Sequence, residues 1–206
     1  MAEEKAVLKK TAIIFLTALV FFAVTMPFRR LFQVVSVTEV RPAAALNPTF
    51  GLLFGFTGAL GCAIGNLAAD MLSGYSSLMC ALGFVVQMIF GLFPYIAWKA
   101  LRSEVRLNSY KKILRYMVVC AVNSLLTAVL LGVLMFITGI GQIMSVTTLM
   151  LFFNNFVFGV ILGIPIILGY TSVKLKKSGE KFSPPCYVMI RVFLPTYPVL
   201  QLNRCK

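Results

Sequence analysis

The chain of 206 residues contains no histidine and only six acidic residues. Histidine is the commonest metal ligand and the commonest general base near neutral pH. Its absence excludes Ser-His-Asp and Cys-His catalysis and histidine–zinc chemistry. The five cysteines, Cys62, Cys80, Cys120, Cys186 and Cys205, show no C-x-x-C spacing. Three of them lie in apolar runs, where cysteine serves as a small hydrophobe, so neither a zinc site nor a disulfide framework is indicated. There is no G-x-x-x-x-G-K-[ST] phosphate loop, which leaves ATP hydrolysis to other chains. Charge of either sign is scarce. Only 12% of residues are charged, against about 25% in ordinary soluble domains.

What is present is apolar. Sixty per cent of the chain is hydrophobic and the mean hydropathy is +0.93. A chain so short of charge cannot clothe a water-exposed surface, so lipid is its expected solvent. The net charge of +13 would suggest nucleic acid in a soluble protein. In a membrane protein the basic residues instead flank spans and sort to the cytoplasmic side, and no nucleic-acid role is expected.

A helix needs about 20 apolar residues to cross a bilayer. Residues 11–28 are 18 uncharged positions between Lys10 and Arg29. Residues 42–98 carry Asp70 as their single charge, and 116–173 carry none. The last stretch divides around Thr138-Gly139-Ile140-Gly141-Gln142 into two spans. The middle stretch admits two helices or three, and charge placement decides. With six spans, the N-terminus, the 99–115 loop and the C-terminal tail share one side and hold 16 of the 19 Lys and Arg. Arg29, Arg30 and Arg41 lie opposite. Five spans would split the basic segments between the two faces.

The sequence therefore predicts an all-α integral membrane protein of six transmembrane helices with both termini cytoplasmic. The spans run over about 11–28, 42–56, 57–73, 79–101, 114–138 and 146–173 within a membrane domain of residues 1–175. A basic cytoplasmic tail, 176–206, follows, loose or lying in the headgroup layer. The second and third helices are short and glycine-rich, a pattern that points to a transporter's binding region. The first span reads as a retained helix, because no small-x-small cleavage site follows it.

Polar residues within the spans are the candidate site. Asp70 is costly in lipid unless paired, and Arg41 is its natural partner. If the chain reverses near residue 55, the two stand at the same depth. The pair either locks the hairpin or contacts the ligand. At a rise of about 1.5 Å per residue, Asn47, Asn66, Gln87, Asn154 and Asn155 fall in one layer of the outer half, and Asn123 lies deeper. Unpartnered buried amides cost about 1–3 kcal/mol each, so amides at one depth imply interhelical hydrogen bonds or a wet cavity. Tyr75 stands at the outer mouth, where it anchors the interface or stacks on a ligand. Trp98 and Tyr95 read as interfacial anchors.

The run Val40-Arg41-Pro42-Ala43-Ala44-Ala45-Leu46-Asn47-Pro48, continuing through Gly51-Leu52-Leu53-Phe54-Gly55 and Gly61 to Gly65-Asn66 and Asp70, resembles the second and third helices of the substrate-binding S components of energy-coupling factor (ECF) transporters. The six-span layout extends that resemblance over about residues 8–175. The hairpin resembles the group that includes proposed queuosine-precursor and cobalamin binders. The resemblance implies a bacterial plasma-membrane protein, itself no enzyme and without a cofactor or metal. It would bind a vitamin-like nutrient from outside and hand it to a transmembrane coupling protein with two cytoplasmic ATPases. The 29–41 loop would form part of the pocket or its lid. Family members often dock through alanine-x-x-x-alanine in the first helix. Here Ala12, Ala18 and Ala23 do not keep that spacing, and Thr11, Ala18 and Thr25, seven apart, offer small residues on one face instead. The alternative is a membrane scaffold of the cell-morphogenesis type, without a ligand pocket.

Overall fold

The computed structural model describes residues 2–31, 33–34, 38–39, 41–139 and 146–177. The expected tail from residue 178 onward and the 140–145 link lie outside the described residues, as do most side chains of the 29–41 loop.

Helix α1 (Ala2–Leu31) opens with Glu3 and Glu4 in its first turn, where carboxylates complement the helix dipole. A short antiparallel ladder, β1 (Gln33–Val34) with β2 (Thr38–Glu39), follows. Pro42 then starts a single 3-10 turn (Pro42–Ala45), since its ring presets the dihedral a first helical position needs. That turn leads into α2 (Leu46–Phe54) and, after one residue, α3 (Phe56–Leu72). The pivot is Gly55, at φ 63° and ψ −137°, a conformation that residues with a Cβ rarely adopt. Its N–H donates to the Gly51 carbonyl at 2.8 Å, and its own carbonyl accepts from Ala59 at 3.1 Å. Both flanking helices therefore terminate on this one glycine.

Helix α4 (Ser77–Ala100) is capped by Ser76, whose Oγ accepts from the Met79 N–H at 3.4 Å. Helix α5 (Tyr110–Ile137) returns across the bundle. The last apolar stretch is α6 (Val146–Ile161) and α7 (Gly163–Lys177), separated at Leu162. Pro165 explains the break. It has no N–H for the carbonyl of Ile161, four residues back, and its ring crowds that carbonyl. Thr148–Lys177 still reads as one 30-residue span by length and hydropathy, as do Glu3–Phe28, Ser77–Ala100 and Tyr110–Ile137. Phe56–Leu72 is a shorter apolar helix. The architecture is thus helical, with four long apolar helices and shorter apolar ones, as expected of a membrane protein.

Glycine sets how closely the helices approach. A Cβ on Gly51 of α2 would overlap the carbonyl oxygen of Gly91 on α4, and one on Gly91 would lie 2.8 Å from the Ala59 Cβ on α3. On α1, Ile14 and Thr17 cover Gly61, and Ala18 and Phe21 cover Gly65. Small residues of this kind substitute for the missing hydrophobic drive between helices in lipid. They also fix direction, because α1 residues 14 to 21 rise alongside α3 residues 61 to 65 in parallel.

One end of the bundle collects Leu53 at the close of α2, Glu104 to Arg106 from the α4–α5 loop, and Tyr170, Lys174 and Leu175 of α7 around one cleft. Trp98 seals this end. The sequence suggested an interfacial anchor, but the indole is 2% exposed and donates through Nε1 to the Glu104 carbonyl at 3.1 Å. The bulk of the core, including Leu52, Leu107, Ile113, Tyr116, Cys120 and Ile167, also lies toward this end. Tyr116 Oη donates to the Gly159 carbonyl at 3.1 Å and lies 3.3 Å from Thr49 Oγ1, which ties α5 to α6 and α2.

Candidate substrate cavity

At the opposite end of the bundle the start of α2, the first half of α4, the second half of α5 and the middle of α6 surround a cavity. Its polar lining is Arg41, Asn47, Gln87, Thr127 and Asn155. Phe21 of α1, Phe90 and Val86 of α4, and Leu131 and Leu151 supply apolar wall. No acidic residue is among the lining residues.

The amides arrive from different elements for local reasons. Asn47 is in the first turn of α2, directly before Pro48, and is fully buried. Neither its Nδ2 nor its Oδ1 has a hydrogen-bond partner. Gln87 lies one turn before Phe90 on α4, so both reach the same side. Asn155 on α6 is 7% exposed. No hydrogen bond ties Gln87 or Asn155 to another described residue. Three uncommitted amides therefore converge on one space. An unsatisfied buried amide costs about 1–3 kcal/mol, and the fold carries this cost where a solute or water would relieve it. Thr127 differs, because its hydroxyl already donates to the Asn123 carbonyl at 2.8 Å. Asn123, a turn deeper on α5, does not line the cavity; its Nδ2 donates to the Phe90 carbonyl at 2.8 Å.

A polar relay borders the cavity. The Arg41 guanidinium donates through Nη2 to Asn66 Oδ1 at 3.1 Å, and Asn66 Nδ2 donates to Asp70 Oδ2 at 2.6 Å. Asn66 and Asp70 share one face of α3, four residues apart, and both are buried. The hairpin at Gly55 brings them level with Arg41. The backbone N–H of Arg41 donates to Asn154 Oδ1 at 3.4 Å, which ties the start of the 3-10 turn to α6. Asp70 Oδ2 also lies 3.0 Å from where a Cβ on Gly83 of α4 would be. Arg41 thus joins α2, α3 and α6 at the cavity rim.

Of the sequence-predicted residues, the structure brings Arg41, Asn47, Gln87 and Asn155 into the cavity wall. Asn66, Asp70 and Asn154 stand behind Arg41. Tyr75 is 50% exposed in the α3–α4 turn and does not line the cavity. The suggested docking residues separate. Thr25 is 4% exposed, with its hydroxyl returned to the Phe21 carbonyl at 2.7 Å, and Ala18 lies against Gly65. Only Thr11 is exposed, so the three do not form one open face. Sequence reasoning missed the wall residues Phe21, Val86, Phe90, Ala128, Leu131 and Leu151. It also missed Thr127, which the i, i+4 pair with Asn123 in an otherwise apolar helix had signalled.

The cavity is small, about 40 Å³. That is space for a few waters, whereas drug-sized ligands occupy pockets of roughly 300–1,000 Å³. Such a ligand must part the walls.

Fold and cavity together describe a helical membrane protein with an amide-lined cavity at one end. The family comparison gives the particular class. The chain matches, over residues 6–172, the family of the ECF-type riboflavin transporter S component, and it belongs to that family. The match bears out the S-component class that the hairpin resembled. Comparisons with curated proteins and with solved structures give no match.

Proposed function

We propose that this chain captures a vitamin of the riboflavin type from outside the cell in the cavity between α2, α4, α5 and α6, for ATP-driven import. The observation that carries this reading is the convergence of Asn47, whose buried amide has no hydrogen-bond partner, with Gln87 and Asn155 on one apolar-walled space. Apolar walls with a few placed polar groups are what a small-molecule site requires. A scaffold gains nothing from uncommitted buried amides, so the cavity and the family match both favour the transporter subunit.

Six spans follow if the 3-10 turn with α2, and α3, each count as one. The basic end, with Lys99, Arg102, Arg106 and the α7 lysines, then faces the cytoplasm, and the cavity faces outward. ATP hydrolysis belongs to partner subunits that join through a transmembrane coupling protein in the bacterial plasma membrane. With the Ala18 backbone against Gly65 and Thr25 buried, the face of α1 left for that partner carries Ala12, Leu16, Leu19 and Ala23, all exposed.

Titration of the purified protein with riboflavin, followed by quenching of flavin fluorescence, tests the reading. Asn155→Ala and Gln87→Ala are each expected to weaken binding about five- to fiftyfold, as loss of one buried hydrogen bond does, with Tm unchanged. Unchanged affinity in both variants removes these residues from the site.

A further inference from the structure

Asn47 differs from the other cavity amides in being enclosed on all sides and unpartnered at both ends of its amide. Its carboxamide is planar and offers one donor, Nδ2, beside one acceptor, Oδ1. The complement of such a group is a rigid edge with a carbonyl next to an N–H, as in a lactam, an imide or a pyrimidinedione. Two parallel bonds of that kind satisfy both orphaned atoms at once, as Asn and Gln do when they read an adenine edge.

The surroundings narrow the choice. A carboxylate ligand satisfies only the donor, and an amine only the acceptor. Freely rotating hydroxyls can do both but gain nothing from the apolar lining of Phe21, Val86 and Phe90. Aromatic residues in the lining favour a planar heterocycle. The Arg41 guanidinium on the same lining, and the lack of an acid there, suit a ring rich in carbonyl oxygens. We infer that Asn47 is the specificity-determining residue of the cavity and pairs with the cis-amide edge of a planar ring, so that ligands whose ring N–H is blocked are rejected. This rests on the proposed function, since it takes the cavity to be the ligand site, and it adds which atoms of the ligand are read and by which side chain.

The test compares riboflavin, whose ring carries an imide N–H between two carbonyls, with riboflavin methylated at that nitrogen. Both are titrated against the natural chain, Asn47→Leu and Asn47→Asp, and ligand-free melting temperatures are recorded. The natural chain is expected to prefer riboflavin over the methylated form by roughly ten- to a hundredfold. Both variants should lose riboflavin affinity by a similar factor and lose the preference with it. Both variants should melt as folded proteins, so that the loss of affinity is read at the site. Riboflavin binding by the natural chain without a preference, or a preference retained in Asn47→Leu, overturns the pairing and leaves the transport reading standing. No flavin binding by the natural chain overturns both.

Discussion

Gly51→Val is expected to lower the melting temperature by about 6–12 °C and to abolish ligand binding. The side chain at this position has no space to enter, because a Cβ there already overlaps the carbonyl oxygen of Gly91. Backbone does not swing aside as a flexible side chain does. The only relief is to move α2 away from α4. Overpacking of this kind costs about 3 kcal/mol at the upper end of its usual range, and each kcal/mol shifts the midpoint of a chain this size by about 2–4 °C. Function suffers more than stability. Asn47 lies one turn before Gly51 on α2 and Gln87 one turn before Gly91 on α4, so moving these helices apart separates two cavity amides. Gly169→Ala is the control. It sits in α7 with nothing within 4 Å of its added carbon, and alanine is the better helix former by about 1 kcal/mol, so this variant should be at least as stable as the natural chain. Thermal melts of both variants beside riboflavin titrations check the prediction.

Arg41→Ala should reduce riboflavin affinity about 30- to 300-fold, which corresponds to roughly 2–3.4 kcal/mol. Arg41 lines the cavity, and its guanidinium heads the relay through Asn66 to Asp70. Truncation takes a cation from the lining and leaves Asn66 Oδ1 without that donor. The buried carboxylate of Asp70 then loses the guanidinium at the far end of its relay, and weakening the support of a buried charge is costly. The double variant Arg41→Ala/Asp70→Asn separates the two effects. It should recover much of the melting temperature lost in Arg41→Ala, because the buried charge is gone. It should not recover affinity, because the guanidinium is still missing from the wall. Recovery of both would make Arg41 a structural counter-ion alone.

The turn at Gly55 shows what was legible in the sequence. Residues 42–98 admitted two helices or three, so the reversal had to be inferred from where the basic residues would otherwise fall. The structure puts it on Gly55, at φ 63°, a conformation that glycine adopts readily. Depth was legible in the same way. A fixed rise per residue puts Asn47, Gln87 and Asn155 at similar heights, and the folded chain brings these three to one cavity. Rotation was not legible. In a soluble helix polar residues mark the outer face, but here lipid and core are equally apolar. Phe21 and Phe90 in the wall therefore look like the exposed Phe15 and Phe153 in sequence. The same ambiguity hid the burial of Thr25 and the contact of the Ala18 backbone with Gly65. It also hid Trp98, whose indole N–H finds the Glu104 carbonyl in a loop no helical pattern describes. The break between α6 and α7 beside Pro165 went unread, because hydropathy alone runs through it.

The central claim is that ligand occupies the space between α2, α4, α5 and α6. The most direct measurement is equilibrium binding of riboflavin to Ala128→Phe, whose ring is aimed into the cavity from α5. The natural chain should saturate at one flavin per chain, whereas Ala128→Phe should melt as a folded protein and bind none. Saturable, stoichiometric binding by folded Ala128→Phe, at the affinity of the natural chain, would contradict the account.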